Sequence, residues 1–297
     1  MPKALKRQLK VIETDPSLLG EGPVWDARRQ CICWVDILNG QIHEFTPAQN
    51  AYRRIQVNDM VGAVALRADG HFIAALKSGL AFVNRDTGAV RMLHDPEVHL
   101  PGNRFNDGKC DPAGRFWVGT MALSEEPGAG SLYMIEKDLS TARKIDGVTI
   151  SNGLAWSPDH KTFYYIDTPT MEVVAYDYDI RTGEITRKRT VITIPENQGF
   201  PDGMTIDREG MLWIAHWDGW QVTRWDPRTG KQLLRLPLPV ARVTSCTFGG
   251  ADFRDLYITT AKVDLTEEQL TAQPLAGRLF VVEDCGYQGV EVWTFGD

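Results

Sequence analysis

The fold is decided by residues 152–192, which read NGLAWSPDHKTFYYIDTPTMEVVAYDYDIRTGEITRKRTVI. Four short runs of apolar and β-branched residues alternate here with polar, turn-forming segments. The four runs are Gly153–Trp156, Phe163–Ile166, Val173–Tyr176 and Thr190–Ile192. Runs of this length and composition, separated by turn residues such as Ser157-Pro158-Asp159, predict four short strands. The segment is therefore interpreted as one four-stranded unit.

This unit recurs along the chain. Its first strand begins at equivalent positions spaced 41 to 50 residues apart, which are Glu21, Gly62, Asn106, Asn152, Asp202 and Thr244. A four-stranded unit of about 40–50 residues has the period of a β-propeller blade. The sequence therefore predicts an all-β, six-bladed propeller with four antiparallel strands per blade. We expect a single domain over residues 1–297, with residues 1–8 as a flexible tail.

The two ends of the chain are expected to meet in the last blade. An N-terminal strand around Leu9–Ile12 is predicted to pair with the sheet that contains Leu279–Val281, which would close the ring. Helical periodicity is weak throughout, except for a turn or two at Thr266–Leu270.

The strand starts also predict what lines the central channel, because equivalent positions of a closed repeat face a common axis. Four of the six positions carry oxygen-bearing side chains, namely Glu21, Asn106, Asn152 and Asp202. A metal or polar ligand site needs such oxygens to converge from distant parts of the chain. For any single residue, capping of a turn is at least as good an explanation. The hypothesis of a site therefore depends on the fact that all four residues occupy the same position of the repeated unit.

The composition favours a soluble enzyme over a nucleic-acid-binding or membrane protein. The 39 acidic and 32 basic residues give a net charge of −7, which argues against a phosphate-binding surface. No apolar run reaches the length of a membrane span, and no secretory segment follows the basic start at residues 1–10. Five cysteines are odd in number and sparse, which indicates reduced thiols and a cytoplasmic location.

The chain resembles a known family in its longest motif, NRFNDGKCDPAGRFWVGTM at residues 103–121. The same resemblance extends to GEGPVW (20–25), SNGL (151–154), FYYID (163–167), PDGM (201–204) and CTFGG (246–250). Together these motifs are similar to the regucalcin (senescence marker protein) and gluconolactonase family. The resemblance runs from about Gly20 to Gly277, and it implies a propeller that hydrolyses sugar lactones.

The resemblance also implies one divalent metal ion at the mouth of the central channel. Its ligands would be Glu21, Asn152 and Asp202, which are three of the four polar positions that the repeat selects. Two carboxylates and an amide oxygen form a hard, incomplete coordination sphere, which suits Ca²⁺ first and Zn²⁺, Mg²⁺ or Mn²⁺ as alternatives. The expected chemistry is polarisation of the lactone carbonyl, with Asp202 as both ligand and general base.

The family's substrate contacts fall on Arg104 and Asn106 of the same motif. A further contact in some members is a glutamate on the loop after Gly-Thr-Met, and the position in register here is Ser124. Glu125 and Glu126 are alternatives if the loop is shifted by one or two residues. The following Pro127–Gly130 segment is expected to make this loop a mobile lid.

Other polar residues are given structural roles. Asp107 alternates away from the axis and is expected to form a turn or to support the site from behind. Arg104 could instead form an ion pair with Asp107. Cys31 and Cys33, two apart on a predicted strand, are expected to pack in the core and not to hold a metal. Motifs of serine hydrolases, zinc proteases and nucleotide-binding proteins are absent from the sequence.

Two other functions remain open at this point. The same metal site could hydrolyse other esters, phosphotriesters included. Alternatively, the chain could be a non-enzymatic calcium-binding regulatory protein. Arg104 beside Asn106 favours an enzyme, because metal binding alone needs no pair that orients a substrate. The expected partner is a small-molecule sugar lactone, without nucleic acid or membrane, and a monomer is the default.

Overall fold

The described part of this protein contains six β-sheets, of which five have four strands and one has five. The computed structural model describes residues 3–5 and 7–296. Two short strands, β1 (Lys3–Ala4) and β2 (Lys10–Ile12), precede the first blade.

The strands of the first three blades follow in chain order. Blade one contains β3 (Gly20–Asp26), β4 (Cys31–Asp36), β5 (Gln41–Thr46) and β6 (Ala51–Gln56). Blade two contains β7 (Val61–Leu66), β8 (Phe72–Leu76), β9 (Gly79–Val83) and β10 (Val90–Met92). Blade three contains β11 (Asn103–Cys110), β12 (Phe116–Ala122), β13 (Gly130–Ile135) and β14 (Thr141–Val148).

The last three blades repeat the pattern. Blade four contains β15 (Ser151–Trp156), β16 (Thr162–Asp167), β17 (Glu172–Asp179) and β18 (Glu184–Thr193). Blade five contains β19 (Phe200–Ile206), β20 (Leu212–Trp217), β21 (Gln221–Asp226) and β22 (Lys231–Pro237). Blade six contains β23 (Val243–Gly249), β24 (Asp255–Thr260) and β25 (Leu279–Val282). Short 3₁₀ helices lie at Pro47–Gln49, Thr168–Thr170 and Glu196–Gln198.

The first strand of every blade is the innermost. Strands β3, β7, β11, β15, β19 and β23 contact one another in this order, and β23 contacts β3 again. The inner strands therefore enclose a central channel, and the predicted six-bladed propeller is confirmed.

The ring closes through strand β2, which pairs antiparallel with β25 as the fourth strand of blade six. This confirms the predicted pairing of the N-terminal strand with the last sheet. Strand β1 instead runs parallel to β22 and forms a fifth strand of blade five. That part of the predicted tail is thus paired, whereas Met1, Pro2 and Lys6 lie outside the described residues.

A helix, α1 (Glu267–Ala272), lies in the long connection between β24 and β25, where a turn or two was predicted. Thr266 and Gln269 form a capping box at its start, so the helix begins with its first backbone N–H groups satisfied. Within the part of the chain that the structure describes, no helix is long and apolar enough to cross a membrane.

Buried aspartates fix the turns between inner and second strands. In blade three, Asp111 accepts hydrogen bonds from the indole Nε1 of Trp117 (2.9 Å) and from Nε of Arg115 (2.7 Å). Asp207 makes the same kinds of contact in blade five. Both carboxylates also accept hydrogen bonds from backbone N–H groups of their turns.

The C-terminal segment crosses the far end of the channel. Phe295 forms a β-bridge with Arg67, which follows inner strand β7, and Gly289 forms one with Asp207, which follows β19. Val290–Trp293 line the channel cavity between these two bridges. The channel is therefore covered at the end where the inner strands finish, and any site must be reached from the end where they begin.

Candidate functional site

Each inner strand has a register irregularity close to its start. The shifts lie between Glu21 and Val24, Val61 and Ala63, Phe105 and Gly108, Asn152 and Leu154, Pro201 and Met204, and Val243 and Ser245. A bulge bends its strand and re-aims the neighbouring side chain. The six bulges therefore form a ring at one mouth of the channel, at the level of the polar strand starts.

A glycine follows each of the three predicted metal ligands. Two of these glycines, Gly153 and Gly203, permit close packing between neighbouring inner strands. A Cβ atom on Gly203 would lie 2.1 Å from the Ser245 hydroxyl oxygen, and one on Gly153 would lie 2.9 Å from the Asp202 carbonyl oxygen. Larger residues at these positions would push neighbouring inner strands apart.

Glu21 and Asp202 come together at this mouth. Both side chains are buried, with 5% of each residue exposed, and the two carboxyl groups lie close enough for each to shift the pKa of the other. Burial, with the negative charge of Asp107 next in importance, raises the pKa of Glu21 from 4.5 to about 8. Burial and the charge of Glu21 raise the pKa of Asp202 well above its ordinary value. Two acids are thus held in a dry site where their negative charge is poorly balanced.

Asn152 and Asn106 join this pair through a chain of hydrogen bonds. The hydroxyl of Thr168 donates to the carbonyl of Pro201 (2.9 Å) and accepts from Nδ2 of Asn152 (2.9 Å). Oδ1 of Asn152 in turn accepts from Nδ2 of Asn106 (3.2 Å). Both amides are therefore oriented. Sequence reasoning missed Thr168, whose role is visible only when the 3₁₀ turn after β16 lies beside β19.

Arg104 is the cationic member of the site. Its Nη1 donates to Oδ1 of Asn106 (2.6 Å) and to the carbonyl of Phe105 (3.0 Å), so the alternative ion pair with Asp107 is not its main contact. Burial lowers the pKa of Arg104 to about 10, against the charges of Glu21, Glu125 and Asp202. The guanidinium therefore stays protonated at neutral pH and faces the acids of the channel mouth.

The loop between β12 and β13 brings a carboxylate toward Arg104. Ser124 is exposed on this loop, and so is its neighbour Glu125, which has a left-handed backbone (φ 56°). The charge of Glu125, second only to that of Glu21, acts on Arg104. The residue in register with the family's glutamate is therefore Ser124, and the carboxylate that acts on Arg104 belongs to the next residue, Glu125.

Asp107 was expected to face away from the axis, and this was wrong. It lines the channel together with Lys109, and its charge raises the pKa of both Glu21 and Asp202. The physical reason is the bulge in β11, which breaks the simple alternation of side chains just at this residue. Nζ of Lys109 donates to the carbonyl of Met204 (2.8 Å) inside the channel.

The donor set fits a divalent cation. Among residues 3–5 and 7–296, no group of three or more His, Cys, Asp or Glu side chains forms a ready metal cage. The predicted ligands are Glu21, Asn152 and Asp202. Because Asn152 is not one of these four residue types, this set is not such a group and is considered separately. Its two buried carboxylates and the nearby Asp107 outnumber the positive charges of Arg104 and Lys109. A hard dication would balance this excess negative charge and would find oxygen donors of the preferred kind.

Comparisons with known proteins show the family of this chain. The model of the SMP-30/gluconolactonase/LRE-like region matches residues 19–262. Regucalcin from Gallus gallus is 39% identical over 97% of this chain and 98% of its own length. A protein named putative sugar lactone lactonase YvrE, from Bacillus subtilis, is 39% identical over 94% of this chain and 97% of its own length.

A solved structure resembles the fold over the whole chain. It is that of a calcium-binding protein, regucalcin, from Agrobacterium tumefaciens, with a TM-score of 0.94 and 30% identity over 100% of both chains. The matched region contains the entire channel mouth, from Glu21 to Asp202 and beyond. The chain therefore belongs to the SMP-30/gluconolactonase/LRE-like family.

Proposed function

We propose that this chain hydrolyses a sugar lactone to the open hydroxy acid, with one divalent metal ion held by Glu21, Asn152 and Asp202. The observation that carries the proposal is the convergence of these three residues with Arg104 and Asn106 at the open end of the channel. Membership of a family that includes sugar lactone lactonases supports the same reaction. Ca²⁺ is the first candidate for the ion, with Zn²⁺, Mg²⁺ and Mn²⁺ as alternatives.

The chemistry that a bound dication supplies here is polarisation of the lactone carbonyl and stabilisation of the oxyanion. A carboxylate oxygen of Asp202 accepts a proton from the attacking water. Burial and the charge of Glu21 raise the pKa of this carboxyl group in the metal-free site, and a bound dication would hold it as the carboxylate that a general base must be. The same proton then passes to the ring oxygen as the acyl C–O bond breaks, so one water is consumed and one hydroxy acid is released.

Arg104 and Asn106 bind and orient the substrate in this proposal. Arg104 offers guanidinium N–H groups beyond the Nη1 contacts that fix it, and these suit the carbonyl or a ring hydroxyl. Asn106 is held by Ser151 and Asn152, so it loses little entropy on substrate binding.

We further propose that Glu125 supplies the lid-loop carboxylate of the family. Ser124 stands in register, but a neutral hydroxyl lacks the negative charge and the second oxygen with which a carboxylate binds two substrate hydroxyls. The influence of Glu125 on Arg104 favours Glu125 as the contact. Glu126 remains the alternative one residue further along the loop.

The test is acid release from a panel of five- and six-membered aldonolactones at near-neutral pH. The protein is stripped with a chelator, and Ca²⁺, Mg²⁺, Mn²⁺ or Zn²⁺ is restored singly. We expect metal-dependent acid release that falls at least about 100-fold in Asp202→Asn, since a positioned general base contributes that much or more. Asp159→Asn is the matched control, because Asp159 lies in an exposed turn and should leave the rate unchanged.

The lactonase proposal fails for this panel if, with each of the four metal ions in turn, the wild-type protein releases acid no faster than the uncatalysed reaction does. A phosphotriester panel run in parallel distinguishes the other hydrolase. Metal binding measured by calorimetry, without turnover of either panel, would instead favour the calcium-binding regulatory protein.

A further inference from the structure

A second cluster of reactive groups lies outside the channel, between blades one and two. The guanidinium of Arg85, which follows β9 of blade two, is fully buried against strand β4 of blade one. Its Nη2 lies 3.1 Å from Sγ of Cys31 and 3.3 Å from Sγ of Cys33. The two thiols are two residues apart on one face of the strand, so one cation contacts both sulfurs.

Acidic side chains hold the guanidinium in this position. Nη1 of Arg85 lies 2.5 Å from a carboxylate oxygen of Asp26, and its Nε donates to Glu44. Arg53 pairs with the other oxygen of Glu44 from the solvent side at 2.7 Å. The cation is therefore fixed by three strands and cannot turn away from the sulfurs without leaving two buried carboxylates unpaired.

The environment makes the two thiols unequal. A hydrogen bond with Cys33 and the charge of Arg85 lower the pKa of Cys31, against the opposing effects of burial and of the charges of Glu44 and Asp26. Burial raises the pKa of Cys33 well above its ordinary value. A thiolate stabilised by a cation is the reactive form of cysteine. One member of the pair is therefore suited to be a nucleophile, and the other remains a thiol beside it.

Two other cysteines provide an internal contrast. Cys246 and Cys285 are also buried, but burial raises their pKa to about 12 and about 11. Their thiols donate to the backbone carbonyls of Trp213 and Tyr287. Burial alone thus does not distinguish Cys31 from these residues, whereas the guanidinium does.

Cys31 is also the more accessible thiol of the pair. It is the first residue of β4 and directly follows the exposed turn at residues 27–30. Its residue exposure is 3%, whereas that of Cys33 is 0%. A small oxidant that enters from the turn meets Cys31 first.

We propose that Cys31 and Cys33 form a peroxide-sensitive thiol pair, in which Cys31 is the nucleophile and Cys33 the resolving thiol. The Cys31 sulfur attacks one oxygen of a hydroperoxide, so an S–O bond forms, the O–O bond breaks, and an alcohol or water leaves with the thiol proton. The Cys33 sulfur then attacks the sulfenic acid, and the S–O bond breaks as hydroxide leaves with the Cys33 proton as water. Two thiols and one peroxide thus give one disulfide, one alcohol or water and one further water.

The strand geometry makes this disulfide reversible. Residues two apart on an extended strand have Cα atoms about 6.6–6.8 Å apart. Disulfides span Cα distances of about 4.4–6.8 Å and Cβ distances of about 3.5–4.5 Å, so the bond would form only with a local bend of the strand that brings the two Cβ atoms together. A strained disulfide has a higher reduction potential and is readily reduced by a dithiol.

The test uses the wild-type protein and its own cysteines as references. The protein is treated with hydrogen peroxide, its remaining thiols are alkylated in denaturant, and its tryptic peptides are weighed. We expect the peptide that contains Cys31 and Cys33 to lose two hydrogen atoms and to escape alkylation, while Cys246 and Cys285 are alkylated fully. Oxidation of this peptide no faster than Cys246 and Cys285 would overturn the proposal.

Two variants separate the roles within the pair. In Cys33→Ser, dimedone should trap a sulfenic acid on Cys31, and the lack of an adduct would contradict the nucleophile assignment. In Arg85→Met, oxidation should slow by about tenfold, because the variant lacks the cation that contacts both sulfurs and stabilises the thiolate. If this variant fails to fold, the comparison among wild-type cysteines still decides the proposal.

Discussion

Glu21→Gln is expected to stabilise the metal-free protein while greatly weakening its stabilisation by metal. Glu21 is buried beside Asp202, and its pKa rises from 4.5 to about 8 in the folded chain. A carboxyl group with a raised pKa binds its proton more tightly when folded, so the free energy of unfolding falls as pH rises from about 4.5, and the cost is complete above about 8. At about 1.4 kcal/mol per pKa unit, the full cost is about 5 kcal/mol.

Glutamine keeps the size of the side chain and can donate a hydrogen bond to Asp202, but it carries no charge. In excess chelator, at a pH above about 8, we expect the variant to unfold at a higher temperature, by roughly 10 °C if the whole cost is recovered. The gain should shrink as pH falls toward 5. Glu126→Gln is the control, because Glu126 is exposed and its change should stay within about 0.5 kcal/mol.

The measurement is calorimetric melting with chelator and with added Ca²⁺ at two pH values. Wild-type protein should gain about 2.7 kcal/mol when the free ion is about 100 times its dissociation constant. The variant should gain much less, because it lacks one carboxylate ligand. The reasoning is refuted if the chelated variant is no more stable than the wild type at high pH, or if its gain does not change with pH.

Three further changes test other parts of the structure. Glu125→Gln should raise KM for the lactone about tenfold while Ser124→Ala leaves it within about twofold, and equal effects in steady-state kinetics would remove the assignment of the lid contact. Asp111→Ala should lower the free energy of unfolding by about 3–5 kcal/mol by urea denaturation, because it removes the buried carboxylate that pairs with Arg115 and accepts from the Trp117 indole. Asp159→Ala, in an exposed turn, should cost about 1 kcal/mol or less. Deletion of residues 1–13 should lower the melting temperature by several degrees, since it removes the outer strand of blade six, and an unchanged melting curve would show that this strand does not hold the ring closed.

The architecture was predictable because its signals are local. The predicted start of the fourth unit, Asn152, lies one residue inside strand β15, and Asn106 lies three residues inside β11. Apolar runs and turn residues predict each strand separately, and the regular spacing of the units then predicts a closed propeller. Because Glu21, Asn152 and Asp202 occupy equivalent positions of the repeat, their location around a common axis could be predicted without any knowledge of side-chain contacts.

The parts that escaped prediction depend on contacts between blades. Simple alternation placed Asp107 away from the axis, but the bulge in β11 turns it into the channel. Thr168 joins the site through a 3₁₀ turn, and Arg85 reaches Cys31 from the neighbouring blade. A motif or a period carries no information on such contacts, because the partners are unrelated in sequence position.

Blade six has a consequence for how the protein is made. Its outer strand, Lys10–Ile12, leaves the ribosome long before the partner of that strand, Leu279–Val282. Throughout elongation the early strand therefore has no partner of its own blade, and its N–H and C=O groups remain available to another chain. A polypeptide released before Leu279 has no partner for this strand. Such a truncated product would expose the edge permanently, so we expect cells to recognise it as a misfolded chain and not as a smaller propeller.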